Sequence, residues 1–456
     1  MYNGVPWYDK DGNVVNSHGA GIIEEDGRYY LFGEYKQDDS NGYNGFSCYS
    51  TVDFEKWKYE GMALDRDVSE RLNGGRVGER VKVVRARSTG KYVMMMHTDD
   101  LSYSDPCICY ATSDKIAGPY DFKGPLLYKG EIIKRWDMGS YTDDDETSYL
   151  LTHEGYVYRL SEDCTEAEEL LCSEFAVGGE SPAMTKHGDT YFIMFSNKTS
   201  WERNDNYYFT SKSLYGPWEY RGLFCPEGTN TYNTQCSFLL KTRIKGEERV
   251  LYLGDRWSYP MQASAATLVI LPVEFDGDEM WIEEYREEIY LGDSEFDESG
   301  EETTSSEENP QEKSRLEKNH PKNKNFVGKD YKIESLDRAI KDKSFEKIDF
   351  IGQNKGDCIE IDFHGKRVEI YGTSKKNGGY AKIEIKDKDD KTVNCQIIDF
   401  YSLVKNYGIR YVSPKLEEGD YRLKIECLGR AGEWFNKRGN RFGSTGTEVD
   451  VREMRV

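Results

Sequence analysis

Between Met1 and Gly292 apolar and polar residues alternate in short runs, and no stretch of ten carries the i, i+3, i+4, i+7 spacing of an amphipathic helix. One unit recurs. A turn with Gly or Asp precedes a tyrosine-rich run in DGRYYLFGE (Asp26–Glu34), TGKYVMMMH (Thr89–His97), ETSYLLTH (Glu146–His153), HGDTYFIMFS (His187–Ser196) and GEERVLYLGDR (Gly246–Arg256). Each reads as a hairpin strand behind a polar turn. The spacing is roughly 40 to 60 residues, the scale of a propeller blade. Five units predict a five-bladed β-propeller over residues 1–292. A second element follows several of them: STVDFEKW (Ser50–Trp57), ATSDKIAGPY (Ala111–Tyr120) and FTSKSLYGPW (Phe209–Trp218). Its closing aromatic is expected to pack between blades.

The pattern breaks at Asp293. Residues 293–325 are acidic first, basic later and nearly devoid of apolar side chains, so they cannot bury enough surface to fold and read as a charged flexible linker. Alternation returns over residues 326–456, in DCIEIDFHG, RVEIYGT, GYAKIEIKD, DYRLKIECLG and EVDVREMRV. Short strands at this spacing predict a second all-β unit, a β-sandwich of jelly-roll, galactose-binding-like type. The fold class is therefore all-β, propeller followed by sandwich.

Composition narrows the partners. The chain of 456 residues carries a formal charge of −22, which makes nucleic acid and anionic membranes poor electrostatic partners. Its 34 tyrosines suit stacking on sugars, although β-rich chains favour tyrosine anyway. Ten cysteines are scattered without a CxxC pair, which argues against zinc and against a disulfide framework. The N-terminus MYNGVPWYDKDG shows no apolar leader, and no stretch reaches transmembrane length. The expected place is the cytoplasm, or outside the cell for a chain whose leader has been removed. Oligomeric state is left open.

The chemistry rests on acids at one structural phase. Glu180 lies in GGESPAM at the start of a strand leading into the fourth repeat; Glu79 in GERVKVV and Asp137 in RWDMGSY hold the matching places in the second and third, and Glu34 ends the expected inner strand of the first. A lone acid is usually a solvated surface group, whereas acids recurring at a propeller axis repel one another and point to function. Such a cluster suits glycosidic cleavage, which needs a protonated carboxyl beside the leaving oxygen and a group holding water on the opposite face.

These residues resemble glycoside hydrolase family 43, and within it the exo-β-1,3-galactanase branch. The likeness is carried by NSHGAGIIEEDGRYYLFGEYK, STVDFEKWKYEG, ERVKVV, RWDMGSYTDDD, GGESPAM, TSW (Thr199–Trp201), TYNTQCSFLL and YLGDRW (Tyr252–Trp257), in order. It implies an inverting mechanism, with Glu180 as general acid and Asp137 as the carboxylate that tunes and orients it. The wider family's Asp base is absent from SHGAG (Ser17–Gly21), as in the galactanase branch, where a glutamine matching Gln235 is proposed to hold the water. A neutral amide is a very weak base, so Glu79 is an alternative proton acceptor. Glu34, Glu79 and Tyr103 match sugar-contacting positions, and Thr199 and Trp201 the lining of the terminal sugar. His18 is expected to be a packed residue that shapes the axis or holds a water, and Arg256 either to pair with Asp255 or to contact a sugar. No cofactor is required; a structural calcium ion at the axis is left open.

The chain departs from the branch at Val81, at the Asp143–Thr147 turn and at Lys198–Trp201, which leaves the sugar open. The expected activity is release of terminal galactose from β-1,3-linked galactan or a related galactoside. An α-L-arabinofuranosidase or β-xylosidase, or a propeller that binds sugar without cleaving it, are the alternatives. In the C-terminal unit Tyr407, Trp434 and Phe435 are candidate sugar contacts, with a purely structural role equally open.

Overall fold

All five tyrosine-rich runs are second strands. In the computed structural model, which describes residues 1–38, 41–244, 246–291, 345–436 and 438–456, they occupy Arg28–Lys36, Tyr92–Asp100, Ser148–Thr152, Thr190–Asn197 and Glu247–Arg256. Each pairs antiparallel with a preceding first strand: His18–Glu25, Arg76–Arg85, Met138–Thr142, Gly179–His187 or Gln235–Ile244. Two further strands complete each of five sheets in chain order, and the third sheet gains two short edge strands, Leu127–Tyr128 and Glu131–Ile132. The expected linker and residues 326–344 lie outside the described residues.

Five apolar cores separate these sheets, and each is shared by two neighbours. In YVMMM the side chains of Met94 and Met96 meet Phe32, Phe46 and Cys48 of the first sheet, while Val93 and Met95 meet Met138 and Leu150 of the third. A strand buried on both faces needs apolar residues at consecutive positions, which is why this run is continuous rather than alternating. The series closes on itself, since Leu251 and Leu253 of the fifth sheet share a core with Leu31 and Tyr49 of the first. The aromatics after Gly-Pro do pack between sheets: Tyr120 meets Phe32 edge-on at 6.1 Å, and Trp218 stacks on Phe175 at 5.0 Å. The five first strands adjoin one another in the same cyclic order.

Glu34 corrects one expectation. It lies on the second strand of its sheet, opposite His18, and not on the first.

The chain from Phe345 onward forms two four-stranded antiparallel sheets around one core that includes Ile370, Ile383, Tyr411, Leu423 and Val451. This unit is bonded to the first. Tyr2 Oη donates to Glu369 at 2.7 Å, Ser258 Oγ to Asp399 at 2.8 Å, and the Ile409 amide to Glu287 at 2.6 Å.

Candidate active site

Each of the five sheets contributes a polar residue from the start of its first strand: His18, Glu79, Asp137, Glu180 and Gln235. Asp137 immediately precedes its strand; the others lie within theirs. A register shift follows His18, Glu79 and Glu180, and another follows Cys236, next to Gln235. The residues after the first three, Gly19, Arg80 and Ser181, have φ of 57°, 58° and 56°. Bulges of this kind re-aim side chains, and left-handed backbone at non-glycine residues is a strain that functional sites retain.

The bulge in the second sheet turns Arg80 into the site. Its Nε donates to Asp137 Oδ1 at 3.1 Å and its Nη2 to Gln235 Oε1 at 2.6 Å. Asp137 Oδ2 accepts the amide and hydroxyl of Ser181 at 3.0 and 2.9 Å. Gln235 Oε1 also accepts the Trp257 indole N–H at 2.8 Å, and Gln235 Nε2 donates to Glu180 Oε1 at 3.0 Å and Ser196 Oγ at 2.8 Å. Two donors facing one atom and two acceptors facing the other fix which way round the amide sits. They also leave it saturated.

Glu79 takes the Tyr103 hydroxyl on Oε1 at 2.7 Å and has His97 Nδ1 3.3 Å from Oε2; His97 Nε2 faces Asp99 at 3.2 Å. Glu34 accepts the Arg80 amide at 2.8 Å and pairs with the buried ammonium of Lys36, which sits 5.4 Å over the Trp201 ring. His18 is buried 3.5 Å from Asp255. Lys82 points to the same centre, donating to the carbonyls of Gly19, Arg80 and Val81 at 2.8 to 3.3 Å.

Thr199 and Trp201 stand at one side. The Thr199 hydroxyl donates to the Glu202 carbonyl at 2.6 Å, and Trp201 stacks on Tyr259 at 5.6 Å. Arg256 is not with this cluster. It makes no ion pair with Asp255, its guanidinium donates to the carbonyls of Asn233, Gly4 and Tyr232, and it lines a cavity between the two units.

Residues 16–232 match Glycosyl hydrolases family 43. A candidate exo-β-1,3-galactanase from Bifidobacterium bifidum s17 is 30% identical, with a TM-score of 0.57 over 62% of this chain and 96% of that one. The chain belongs to glycoside hydrolase family 43. A second family 43 structure, a β-1,3-galactosidase with galactodeoxynojirimycin, is 25% identical with a TM-score of 0.56 over 63% and 99% of the two chains. An exo-β-1,3-galactanase from Phanerochaete chrysosporium, with galactose, shares the fold over 100% of this chain and 99% of its own, at 21% identity and a TM-score of 0.64. No protein of curated function matches. The family match ends just before Gln235 and does not reach the glutamine or the fifth sheet, whose places rest on strand pairing and hydrogen bonds.

Electrostatics separates the acids of this family 43 glycoside hydrolase. Burial and then the charge of Asp137 push Glu180 well above the usual carboxylate range, against Arg80, Lys198 and the Gln235 hydrogen bond. Burial also raises Glu34, with Lys36 opposing. For Glu79 burial is outweighed by the His97 hydrogen bond and the charge of Lys36, which bring it down to about 2. Burial opposes protonation of His97, but Asp99 and Glu79 raise it to about 9. Burial and the neighbouring Arg80 lower Lys82 to about 7. Burial thus favours the protonated form of Glu180 while hydrogen bonds and charge favour the ionised form of Glu79, the kind of separation that acid-base work requires.

A calcium ion does not fit this centre. Donor atoms of Glu79, His97 and Asp137 lie within 4.8 Å of one another. Calcium takes six to eight oxygen ligands, however, whereas one donor here is an imidazole nitrogen and Asp137 already pairs with a guanidinium.

Sequence reasoning missed Arg80, Lys36, His97 and Trp257. Arg80 adjoins Glu79, and strict strand alternation would send it to the opposite face. His97 closes the second repeat, directly across from Glu79, and that register was its one available signal.

Proposed function

We propose that this family 43 enzyme is an exo-acting, inverting β-galactosidase that releases terminal galactose from β-1,3-linked galactan or a related galactoside. Its five sheets would be the blades of a five-bladed propeller over residues 1–292, joined by the 293–325 linker to a β-sandwich over 326–456. The observation that carries the reading is the Glu180 carboxyl, kept protonated by burial and Asp137 and bonded to Gln235 among residues at the first strands of all five sheets. The galactanase and galactosidase neighbours support the sugar.

Glu180 donates its proton to the leaving oxygen. Asp137, held by Arg80 and Ser181, raises and orients that acid. Glu34, Tyr103, Thr199 and Trp201 surround the terminal sugar. Gln235 organises the water side without itself taking the proton. An imidic-acid tautomer would have to seat its protonated oxygen against the donors Arg80 and Trp257, or turn its nitrogen to them, and either way the basic atom is occupied. Glu79 keeps lone pairs free and is ionised at neutral pH, so it accepts the water's proton, at the cost in basicity that its low pKa implies.

The test is incubation with β-1,3-galactobiose, arabinan and xylan oligomers, with the first product's anomer followed by NMR. α-Galactose is expected. Arabinose or xylose would move the substrate elsewhere in the family, β-galactose would overturn inversion, and binding without release would mean a sugar-binding propeller. Glu180→Gln should cost ~10²–10⁴-fold on galactobiose and far less on an aryl galactoside whose leaving group needs no proton. Azide should rescue Glu79→Ala and leave Gln235→Ala unrescued.

A further inference from the structure

Gln235 follows a strained piece of chain. Asn230, Thr231, Tyr232 and Asn233 all have left-handed backbone, with φ from 51° to 63°. Left-handed turns of L-residues are unfavourable and persist only where neighbours over-determine them. The principal clamp is Arg203, which is 3% exposed. Its Nε donates to Asn233 Oδ1 at 3.0 Å and its Nη1 to the Trp257 carbonyl at 2.9 Å. One guanidinium therefore grips both the turn leading into Gln235 and the tryptophan whose indole holds the Gln235 oxygen.

Arg203 is itself held by the C-terminal unit. Its guanidinium lies 5.3 Å over the ring of Tyr401, and the Tyr401 hydroxyl donates to Glu202, the residue before it. Glu202 Oε1 accepts the Arg203 amide at 3.2 Å and lies 3.9 Å from its Nε. The segment after Trp257 is anchored on the same unit. Ser258 Oγ donates to Asp399, and the Tyr380 hydroxyl reaches the carbonyls of Ser258 and Tyr259 at 3.0 and 3.2 Å. Arg203, Asn233, Trp257, Asp399 and Tyr401 together line the cavity between the units.

We infer that Tyr401 is a positioning residue for the active site: through Arg203 the C-terminal unit aims Gln235 and Trp257. The unit so linked is a working part of the catalytic site and not only an appended sugar-binding or bracing domain. This rests on the proposed reading in which Gln235 organises the water side.

The test uses the full chain with Tyr401→Ala, Tyr401→Phe and Arg203→Lys. Water must be held whatever the leaving group, so Tyr401→Ala should lower kcat ~10-fold or more on both β-1,3-galactobiose and an activated aryl galactoside, with little change in KM. Tyr401→Phe keeps the ring over Arg203 and should recover most of the loss; Arg203→Lys should behave like Tyr401→Ala, because a point charge cannot grip two acceptors as a fork does. Hydrogen exchange provides a readout that needs no activity. Amides at 229–235 should exchange faster in Tyr401→Ala while those at 250–253 stay protected. If the wild-type chain releases no galactose, the functional reading fails and exchange alone decides the positioning role. Unchanged exchange at 229–235, loss of protection throughout the first unit, or a rate loss confined to the poor leaving group would each overturn it.

Discussion

Arg80 is the side chain on which the site's charges meet. It bonds Asp137 and Gln235 at once, and it is the charge that most opposes protonation of Glu180. Arg80→Met should lower kcat/KM by ~10²-fold or more, as loss of a charged partner in a water-poor site does. The same change removes a cation that lowers the Glu180 pKa, so the alkaline limb of the pH profile should move up. A limb that stays put would separate Arg80 from Glu180. The Glu79–His97 pair gives a second expectation, in stability. Glu79 is depressed from 4.5 to about 2, so its contribution is full above 4.5 and is lost as pH falls through 2. His97 is raised from 6.5 to about 9, so its contribution is full below 6.5 and is lost as pH rises through 9. His97→Asn should therefore be least stable relative to wild type between pH 4.5 and 6.5, with the gap closing above pH 9; urea midpoints at pH 6 and pH 9.5 measure it. The glutamate of this pair was legible from its phase in the repeat. Its partners were not, because strand alternation says nothing about which side chain a bulge redirects.

The recurring element is a first strand that starts polar, bulges in four of the five sheets and then runs apolar between two sheets. Close approach of these strands is allowed by glycine where a side chain would collide. A Cβ on Gly139 would lie 2.1 Å from the carbonyl oxygen of Pro182 on the next sheet. Gly139→Ala should destabilise by at least ~1–3 kcal/mol through overpacking, read from urea unfolding. Gly27→Ala is the control: Gly27 has φ of 72° with nothing within 4 Å of its Cβ, so only a backbone cost of ~1 kcal/mol is expected. The second strands were readable because polar turns and two-sided burial leave a local signature. The first strands were less so: GERVKVV and GGESPAM mix charged, glycine and apolar residues, since one end serves chemistry and the other the core.

For the whole molecule, charge and the joint between the units matter most. A chain of net charge −22 should bind the proposed neutral galactoside without long-range steering. KM for β-1,3-galactobiose should change less than ~2-fold between 0.02 and 0.3 M NaCl, because screening has no charged substrate to act on. A strong salt dependence would indicate an anionic glycan instead. The joint carries buried polar bonds, including Ser258 to Asp399, whose carboxyl burial raises to about 6. Such contacts specify one arrangement of the two units more than they add affinity, because each group gives up hydration to make them.

By itself the sequence determined the all-β class, the five tyrosine-rich strands with their turns, the family, and the phase at which Glu79, Asp137 and Glu180 recur. All of these are written in neighbouring residues and short periods. Only the tertiary structure decided that the Gln235 amide is saturated, that Arg80 joins the site while Arg256 leaves it for the inter-unit cavity, and that Tyr401 stands behind Arg203. Those outcomes join residues 155 and 199 positions apart, as in Arg80 with Gln235 and Glu202 with Tyr401. They are set by burial and by competition for lone pairs, quantities that exist only once the sheets have closed on one another.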